Sequence, residues 1–99
     1  MRQIVIVQLD KAHPALLLTR DVAWSYLTKV TIAPITSNVR GLTTEVLLGH
    51  ANGLDHICVA SLDNITTVPR TAIVRQIGML LDEQEPDLMR AISCAFDLR

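Results

Sequence analysis

The chain is poor in the residues that mark several common classes of protein. Its 99 residues include only two cysteines, Cys58 and Cys94, and three aromatic residues, Trp24, Tyr26 and Phe96. Two cysteines without a C-x-x-C spacing exclude a disulfide framework and a cysteine zinc site, so both are expected to be small buried apolar side chains. Three aromatic residues are too few for a platform that stacks the bases of a nucleic-acid strand.

Strong net charge and long apolar runs are also absent. Nine Lys and Arg against ten Asp and Glu give a formal net charge of −1, which argues against non-specific coating of nucleic acid. Four of the ten acids lie within 82–87, so the rest of the chain is near neutral and has room for a local basic patch. No apolar run approaches the ~20 residues of a membrane-spanning helix, and the opening MRQIVIVQLD has too short a run for a signal peptide. We therefore expect a complete, cytoplasmic protein that does not enter a membrane.

What the chain does contain is a series of short β-type runs. Apolar residues make up 49% of the sequence, and this length predicts a single domain over residues 1–99. Strands are predicted at 3–9, 15–19, 29–36, 43–48, 56–62, 64–69 and 71–77. A turn is expected over 10–14, Pro34 is expected to bend or end its strand, and Gly78 is expected to interrupt the last run.

The C-terminal segment has a different, helical periodicity. Its apolar residues recur at helical spacing: Leu88, Ala91, Ile92, Ala95 and Phe96. Pro86 and Asp87 suit the first turn of a helix. The pattern predicts a β-rich α+β fold, a small and partly open β-barrel with one terminal helix packed on it. Runs 3–9 and 15–19 offer more apolar surface than such a barrel easily hides, so we expect a two-fold homodimer.

Each polar residue that is a candidate for catalysis or binding also suits a purely structural role when it is considered alone. Pro14 holds His13 extended, and a histidine fixed in this way suits general acid–base chemistry, although a lone surface histidine is common. Hydroxyl and N–H groups at Thr36 and Ser37, where the third run ends, suit a phosphate or form an ordinary turn. His50 and His56 lack a third ligand in register, so no metal is predicted.

The remaining charged candidates are equally open at this level. For Asp63, in SLDNITT, three roles are open: it orients a catalytic base, it pairs with Arg70, or it only forms a turn. Arg40, Arg70 and Arg75 suit phosphate contacts, and a solvated surface explains them as well. The acidic segment 82–87 is expected to be a solvated loop that leads into the helix.

Five segments, taken in order, resemble the MazF/PemK family of bacterial toxins. QIVIVQLD resembles the opening strand of the family, HPALLLTRD its "RPALVLS-D" segment, and VTIAPITSN its "VVVAPITS" strand. GLDHICVASLDNITTVPRTAIVRQIGML is similar to the family's long "GL…S.V..DQI.TV…RL...IG.L" tail, and LMRAISCAFDL to its closing helix. The resemblance covers nearly the whole chain, and it rests on the order and spacing of the segments.

This resemblance implies a fold, an activity and a set of partners. The implied fold is an SH3-like, plug-type barrel that forms a homodimer. The implied activity is cleavage of single-stranded RNA at defined sequences, without metal or other cofactor, by attack of the ribose 2′-hydroxyl to give 2′,3′-cyclic phosphate and 5′-hydroxyl ends. RNA would lie in a groove at the dimer interface, and a MazE-like antitoxin would cover that groove.

Site residues follow from the resemblance position by position. His13 takes the place of the Arg in the "RP" motif, and Thr36 that of the Thr in "PIT"; these two form the catalytic pair, with Ser37 as helper. Asp63 matches the acidic residue of the "DQ" motif. Histidine is a better base than arginine at neutral pH, so positive charge is expected from Arg40 or Arg70.

Two other functions fit the same fold. CcdB-type toxins share it and block DNA gyrase, but the ending CAFDLR shows no motif for that role, and fold alone does not separate the two activities. A degenerate copy that only binds an antitoxin is the other alternative, because His13 stands where the family has an arginine.

Overall fold

One curled antiparallel sheet dominates the computed structural model, which describes residues 2–20 and 26–98. Within those residues the strands are β1 Gln3–Gln8, β2 Ala12–Leu17, β3 Lys29–Thr36, β4 Glu45–Leu48, β5 Cys58–Ser61, β6 Thr66–Pro69 and β7 Ile73–Met79. A single helix, α1 Glu85–Ala95, follows them. The spatial order is β4-β5-β3-β2-β1-β7, and β6 pairs with β3. The predicted β-rich barrel with a terminal helix is confirmed; Trp24 lies outside the described residues.

The core consists of two apolar clusters on opposite faces of the central strands. Successive side chains of a strand point to opposite faces, so Ile4 enters the cluster under α1 while Val5 enters the other. Leu16 and Leu17 divide in the same way, and all four side chains are at most 1% exposed. The chain thus buries most of the apolar side chains of these two runs by itself, and Leu9, 55% exposed, is the large one that it leaves at the surface.

Two prolines lie inside strands, where the sequence predicted a turn and a strand end. β2 begins at Ala12 and therefore contains His13 and Pro14. β3 continues through Pro34 to Thr36. It tolerates a residue without an N–H because one edge of β3 changes partner there: β6 pairs as far as Ile32 and β5 begins at Ile35.

The terminal helix follows its predicted start, and its predicted apolar face is confirmed except at Phe96. Pro86 occupies the first turn, and Glu85 and Asp87 place negative charge at the positive end of the helix dipole. Leu88 and Ala91 are buried, and Ile92 and Ala95 pack, partly buried, against the same core cluster. Phe96, expected on that face, adopts non-helical angles after the last turn and is 58% exposed.

The two cysteines differ in burial. Cys58 is buried in β5, as expected, whereas Cys94 lies in the last turn of α1 and is exposed. The predicted burial of Cys94 is wrong because the helix contacts the sheet only through its inner stripe. Across residues 2–20 and 26–98, no helix is long and apolar enough to span a membrane.

Candidate active site

Thr36 lies at the end of β3, between two neighbouring depressions of the surface. The larger, which we call the β7 cleft, has a volume of about 810 Å³ and is lined by polar groups of Thr36, Ser37, Asp55, His56, Arg75 and Gln76. The smaller, which we call the β4 pocket, has a volume of about 420 Å³ and is lined by polar groups of Thr36, Asn38, Arg40, Glu45, Asp63 and Asn64. Thr36 is thus the residue that the two depressions share.

His13 lies in β2, the strand that neighbours β3. The paired residues of these two strands end with Ala15 opposite Pro34, two residues before His13 and Thr36 are reached. The same register, continued by two residues, would set His13 opposite Thr36 on one face of the sheet, so the catalytic pair stays a prediction. His13 is exposed.

The β4 pocket gathers two of the predicted supporting residues, Arg40 and Asp63. The Glu45 carboxylate, 8% exposed, accepts the backbone N–H groups of Arg40 at 3.2 Å and Leu42 at 3.0 Å. These charge-assisted bonds fix the loop that carries Arg40. Asp63 accepts the hydroxyl of Thr44 at 2.6 Å, rather than a bond from Arg70 as the sequence suggested.

Arg70 lies at the opposite end of β3. Its backbone N–H donates to the oxygen of Thr28 at 2.9 Å, and Pro69 pairs with Lys29, the first residue of β3. At about 3.3 Å per strand residue, Lys29 and Thr36 are roughly 23 Å apart along the strand. The expectation that Arg70 supplies charge beside Thr36 is therefore wrong within one chain. Arg75, on β7, lines the cleft with Thr36 instead.

The β7 cleft also contains a carboxylate–imidazole pair that the sequence did not reveal. A close hydrogen bond joins Nδ1 of His56 to the Asp55 carboxylate. That hydrogen bond, together with the charge of His56, lowers the pKa of Asp55 below its ordinary value. Because an ionised carboxylate only accepts hydrogen bonds, Nδ1 must carry the proton. Nε2 is left as the nitrogen through which the ring can exchange a proton.

The turn that carries this pair is fixed against β7. Asn52, 2% exposed, donates from its side chain to the oxygen of Met79 at 3.0 Å and accepts the N–H of Gly49 at 3.1 Å. Gly53 has a φ of 86° and packs against the backbone of Ile77. These contacts place the strand that bears Arg75 next to the segment that bears His56.

Cys58 lines the cleft but does not serve as a nucleophile. Burial, and secondly the negative charge of Asp55, raises the pKa of the Cys58 thiol. Its Sγ–H donates to the backbone oxygen of His56 at 3.4 Å. A thiol needs its thiolate form to react, so this side chain is structural. Within the part of the chain that the structure describes, no three His, Cys, Asp or Glu side chains gather in a way that could hold a metal ion.

Sequence reasoning found some of this site and missed the rest. It brought forward Thr36, Ser37, Arg40 and Asp63, which line the two depressions, and His13, which lies in the neighbouring strand β2. It considered His56 only as a metal ligand and did not single out Asp55. The Asp-His dipeptide is visible in the sequence, but its position against β7 depends on pairing between distant segments.

Fold and site together define a class of protein. A small SH3-like barrel with a terminal helix carries, at one end of its central strand, two depressions that each hold an arginine and hydroxyl or amide groups. Such an arrangement suits binding of an anionic, extended ligand. A profile of the family described as "PemK-like, MazF-like toxin of type II toxin-antitoxin system" matches residues 2–96. The chain belongs to this family.

Individual relatives agree with this assignment. Endoribonuclease MazF3 of Mycobacterium tuberculosis is 56% identical over 98 residues, which are 99% of this chain and 95% of that protein. The structure of the Mycobacterium tuberculosis toxin MazF-mt6 matches with a TM-score of 0.95 and 55% identity, over 99% of each chain. A mycobacterial endoribonuclease, solved in complex with its cognate antitoxin, shares the fold at 21% identity, with a TM-score of 0.85 over 98% of this chain and 93% of that one.

The comparisons decide between the functions that the sequence left open. The predicted toxin endoribonuclease of a toxin–antitoxin system is confirmed. Neither alternative, the gyrase inhibitor or the degenerate copy, finds support.

Proposed function

We propose that this toxin cleaves single-stranded RNA at defined sequences, without a metal ion, at the end of β3 marked by Thr36. The observation that carries this proposal is the position of Thr36 between two depressions that each provide an arginine, Arg75 in the β7 cleft and Arg40 in the β4 pocket. An RNA strand that passes from one depression to the other over Thr36 meets the Thr36 hydroxyl with a cationic group on each side. Residues 1–99 act as one toxin domain in the bacterial cytoplasm.

The chemistry is a transfer of the phosphodiester within the RNA itself. The 2′-oxygen forms a bond to phosphorus, the bond from phosphorus to the 5′-oxygen breaks, and the products carry a 2′,3′-cyclic phosphate and a 5′-hydroxyl. One proton leaves the 2′-hydroxyl and one reaches the 5′-oxygen, so no water is consumed. His13, in the strand that neighbours β3, takes the first proton as a general base.

Charge on the phosphorane is stabilised at the strand end. The hydroxyl groups of Thr36 and Ser37 lie where β3 leaves the sheet, and Thr36 Oγ1 already accepts the N–H of Asn38 at 3.1 Å. This bond fixes the hydroxyl oxygen and leaves its proton to donate to a phosphate oxygen. Arg40 adds positive charge from the neighbouring loop.

The β4 pocket is the proposed place for a base. Its volume of about 420 Å³ and its polar walls, which include Asn38, Asp63 and Asn64, offer donors and acceptors to the edge of an unstacked base. Sequence-specific recognition of RNA generally uses such exposed edges in single strands. Aromatic stacking contributes little, because the chain has only three aromatic residues.

The proposed partners are a second copy of the chain and a cognate MazE-like antitoxin. Large apolar side chains are exposed: Leu47 is 60% exposed, Ile57 63% and Val74 58%. Ile57 and Val74 adjoin in sequence His56 and Arg75, which line the β7 cleft. Burial of such side chains would stabilise a two-fold dimer with the RNA groove at its interface. An antitoxin is proposed because the family consists of toxins from toxin–antitoxin systems and because one structural neighbour was solved with its antitoxin.

The decisive experiment is cleavage of a long mixed-sequence RNA in EDTA, with mapping of the new 5′ ends. Discrete cuts at a shared short sequence, with 5′-hydroxyl termini, are the expected result. Thr36→Ala should lower the cleavage rate about 100-fold or more, as loss of a transition-state hydrogen-bond donor does, and Thr36→Ser should retain most of the rate. Thr71→Ala, an exposed threonine outside both depressions, is the matched control.

Two results would contradict the proposal. If the folded, antitoxin-free protein left the RNA intact, the proposed cleavage activity would be refuted. Cleavage by Thr36→Ala at the rate of Thr71→Ala would leave the activity in place but move it away from the end of β3.

A further inference from the structure

The pair formed by Asp55 and His56 has no part in the mechanism described so far. We propose that His56 is the general acid of the reaction, which gives its proton to the departing 5′-oxygen, and that Asp55 positions it. This inference rests on the proposed RNA cleavage at Thr36. It assigns a residue to the second proton transfer, the one to the 5′-oxygen, for which His13 and Thr36 alone provide no separate group.

In the proposed mechanism, His13 serves the attacking 2′-oxygen and His56 serves the leaving 5′-oxygen. In such a displacement the attacking and leaving oxygens lie roughly in line, so the base and the acid must approach phosphorus from opposite sides. Pro14 lines the β7 cleft together with His56. His13 precedes Pro14 in β2 and so projects from the other face of the strand. In the proposed arrangement, a phosphodiester held at Thr36 has His56 on the side of the β7 cleft and His13 on the opposite side.

The local geometry of His56 suits proton donation. Asp55 holds Nδ1, and the structure gives Nε2 no partner among residues 2–20 and 26–98. The His56 side chain is 57% exposed, so a substrate can reach it without movement of the core. An imidazole oriented through one nitrogen by a carboxylate, with the other nitrogen free for proton transfer, is a recurrent arrangement in acid–base catalysis.

The surroundings of the pair are defined by few charged groups. Arg75 projects from β7 into the same cleft, and Cys58 lies behind His56 with a thiol whose pKa burial raises. His50, in the preceding turn, acts on Asp55 only through its charge. Arg75 is placed to bind the phosphate whose ester oxygen His56 protonates.

The step balances without any additional reactant. The P–O5′ bond breaks and its electron pair goes to the 5′-oxygen, which takes the proton from Nε2 of His56. The neutral imidazole that results regains a proton from solvent, and His13 returns to solvent the proton that it took from the 2′-hydroxyl.

The test uses two RNA substrates of one cleavable sequence, which differ only at the scissile 5′ position, oxygen in one and sulfur in the other. A thiolate leaves without protonation because thiols are far more acidic than alcohols. His56→Ala should cleave the oxygen substrate about 100-fold more slowly than wild type, and the sulfur substrate within about threefold of wild type. Asp55→Asn should show the same pattern with a smaller loss. His50→Ala is the matched control and should cleave both substrates at the wild-type rate.

The outcomes separate this inference from the proposed function. If wild type cleaves the oxygen substrate to a 5′-hydroxyl end but His56→Ala does so within threefold, cleavage stands and the role of His56 is overturned. If His56→Ala lowered the cleavage rate of both substrates equally, His56 would act in RNA binding, and its role as general acid would also be overturned. If the wild-type protein cleaved neither substrate, both the proposed function and this inference would be refuted. Since the His56 ring is largely outside the core, an unchanged unfolding midpoint for the variant confirms that the comparison is between folded proteins.

Discussion

The backbone oxygen of Asn52 packs against Cα of Gly78, with no room for a side chain between the turn and β7. A Cβ built on Gly78 would overlap the Asn52 carbonyl far inside van der Waals distance, and the atoms it meets are backbone. β7 runs through Gly78, contrary to the prediction, because Gly78 pairs with Ile4 of β1, and the contact with Asn52 leaves space only for a glycine there. The contact also fixes the distance between the segment that bears His56 and the strand that bears Arg75.

We therefore expect Gly78→Ala to destabilise the protein by about 2–3 kcal/mol, the upper part of the usual range for overpacked sites, because the clashing atoms are backbone. Urea unfolding measures the loss. Gly49→Ala is the control, because a Cβ at Gly49 meets nothing within 4 Å and its φ of −172° is open to any residue; it should change the free energy of unfolding by less than about 0.5 kcal/mol. Equal effects of the two substitutions would show that turn and strand are not in rigid contact.

The two arginines Arg75 and Arg70 should behave differently toward RNA. Arg75 lines the β7 cleft, whereas Arg70 lies near the opposite end of β3. Binding of a substrate with a 2′-deoxy residue at the scissile position, followed over a range of salt concentrations, reports phosphate contacts without cleavage. Arg75→Ala should weaken binding and reduce the slope of log K against log salt by about 0.7, the value for one contact to a single strand. If Arg70→Ala reduces the slope instead, RNA follows a different path.

The Asp55 carboxyl should titrate at unusually low pH. The hydrogen bond from His56 and the charge of that ring hold the pKa of Asp55 below its ordinary value of 3.8. NMR titration of the side-chain carboxyl carbon should show this depression in wild type, and His56→Ala should raise the pKa of Asp55 toward the ordinary value, because His56 is the main cause of the depression. A lowered folded-state pKa stabilises the fold above the unfolded value, and this contribution disappears as pH falls through the lower, folded-state pKa. An unshifted pKa in wild type would mean that the pair does not form in solution.

Local patterns predicted most of the elements because they depend on neighbours in the sequence. Alternating or continuous apolar runs predicted β1 and β3, and Pro86 with the acids around it predicted the start of α1. Pro34 was misjudged because its effect depends on which strand occupies the second edge of β3. That information lies in β5 and β6, far along the chain, and no local rule contains it.

Residues of the candidate site were likewise predictable where local sequence determines their position, and not where pairing between distant segments does. Thr36 and Ser37 stood out because a strand ends at them, and His13 because Pro14 restricts it. The choice among arginines failed for Arg70, since residue type and charge say nothing about which end of the sheet a residue occupies. His56 became meaningful only when the turn at Asn52 folded against β7.

The pairing of β1 with β7 has a consequence for incomplete products of translation. β1 lies between β2, its neighbour in sequence, and β7, which begins at Ile73. A chain that stops before Ile73 lacks the outer partner of its first strand and lacks Arg75. Premature termination anywhere in the first seven-tenths of the gene therefore yields a product without a β7 cleft, and such fragments should be harmless to the cell that makes them.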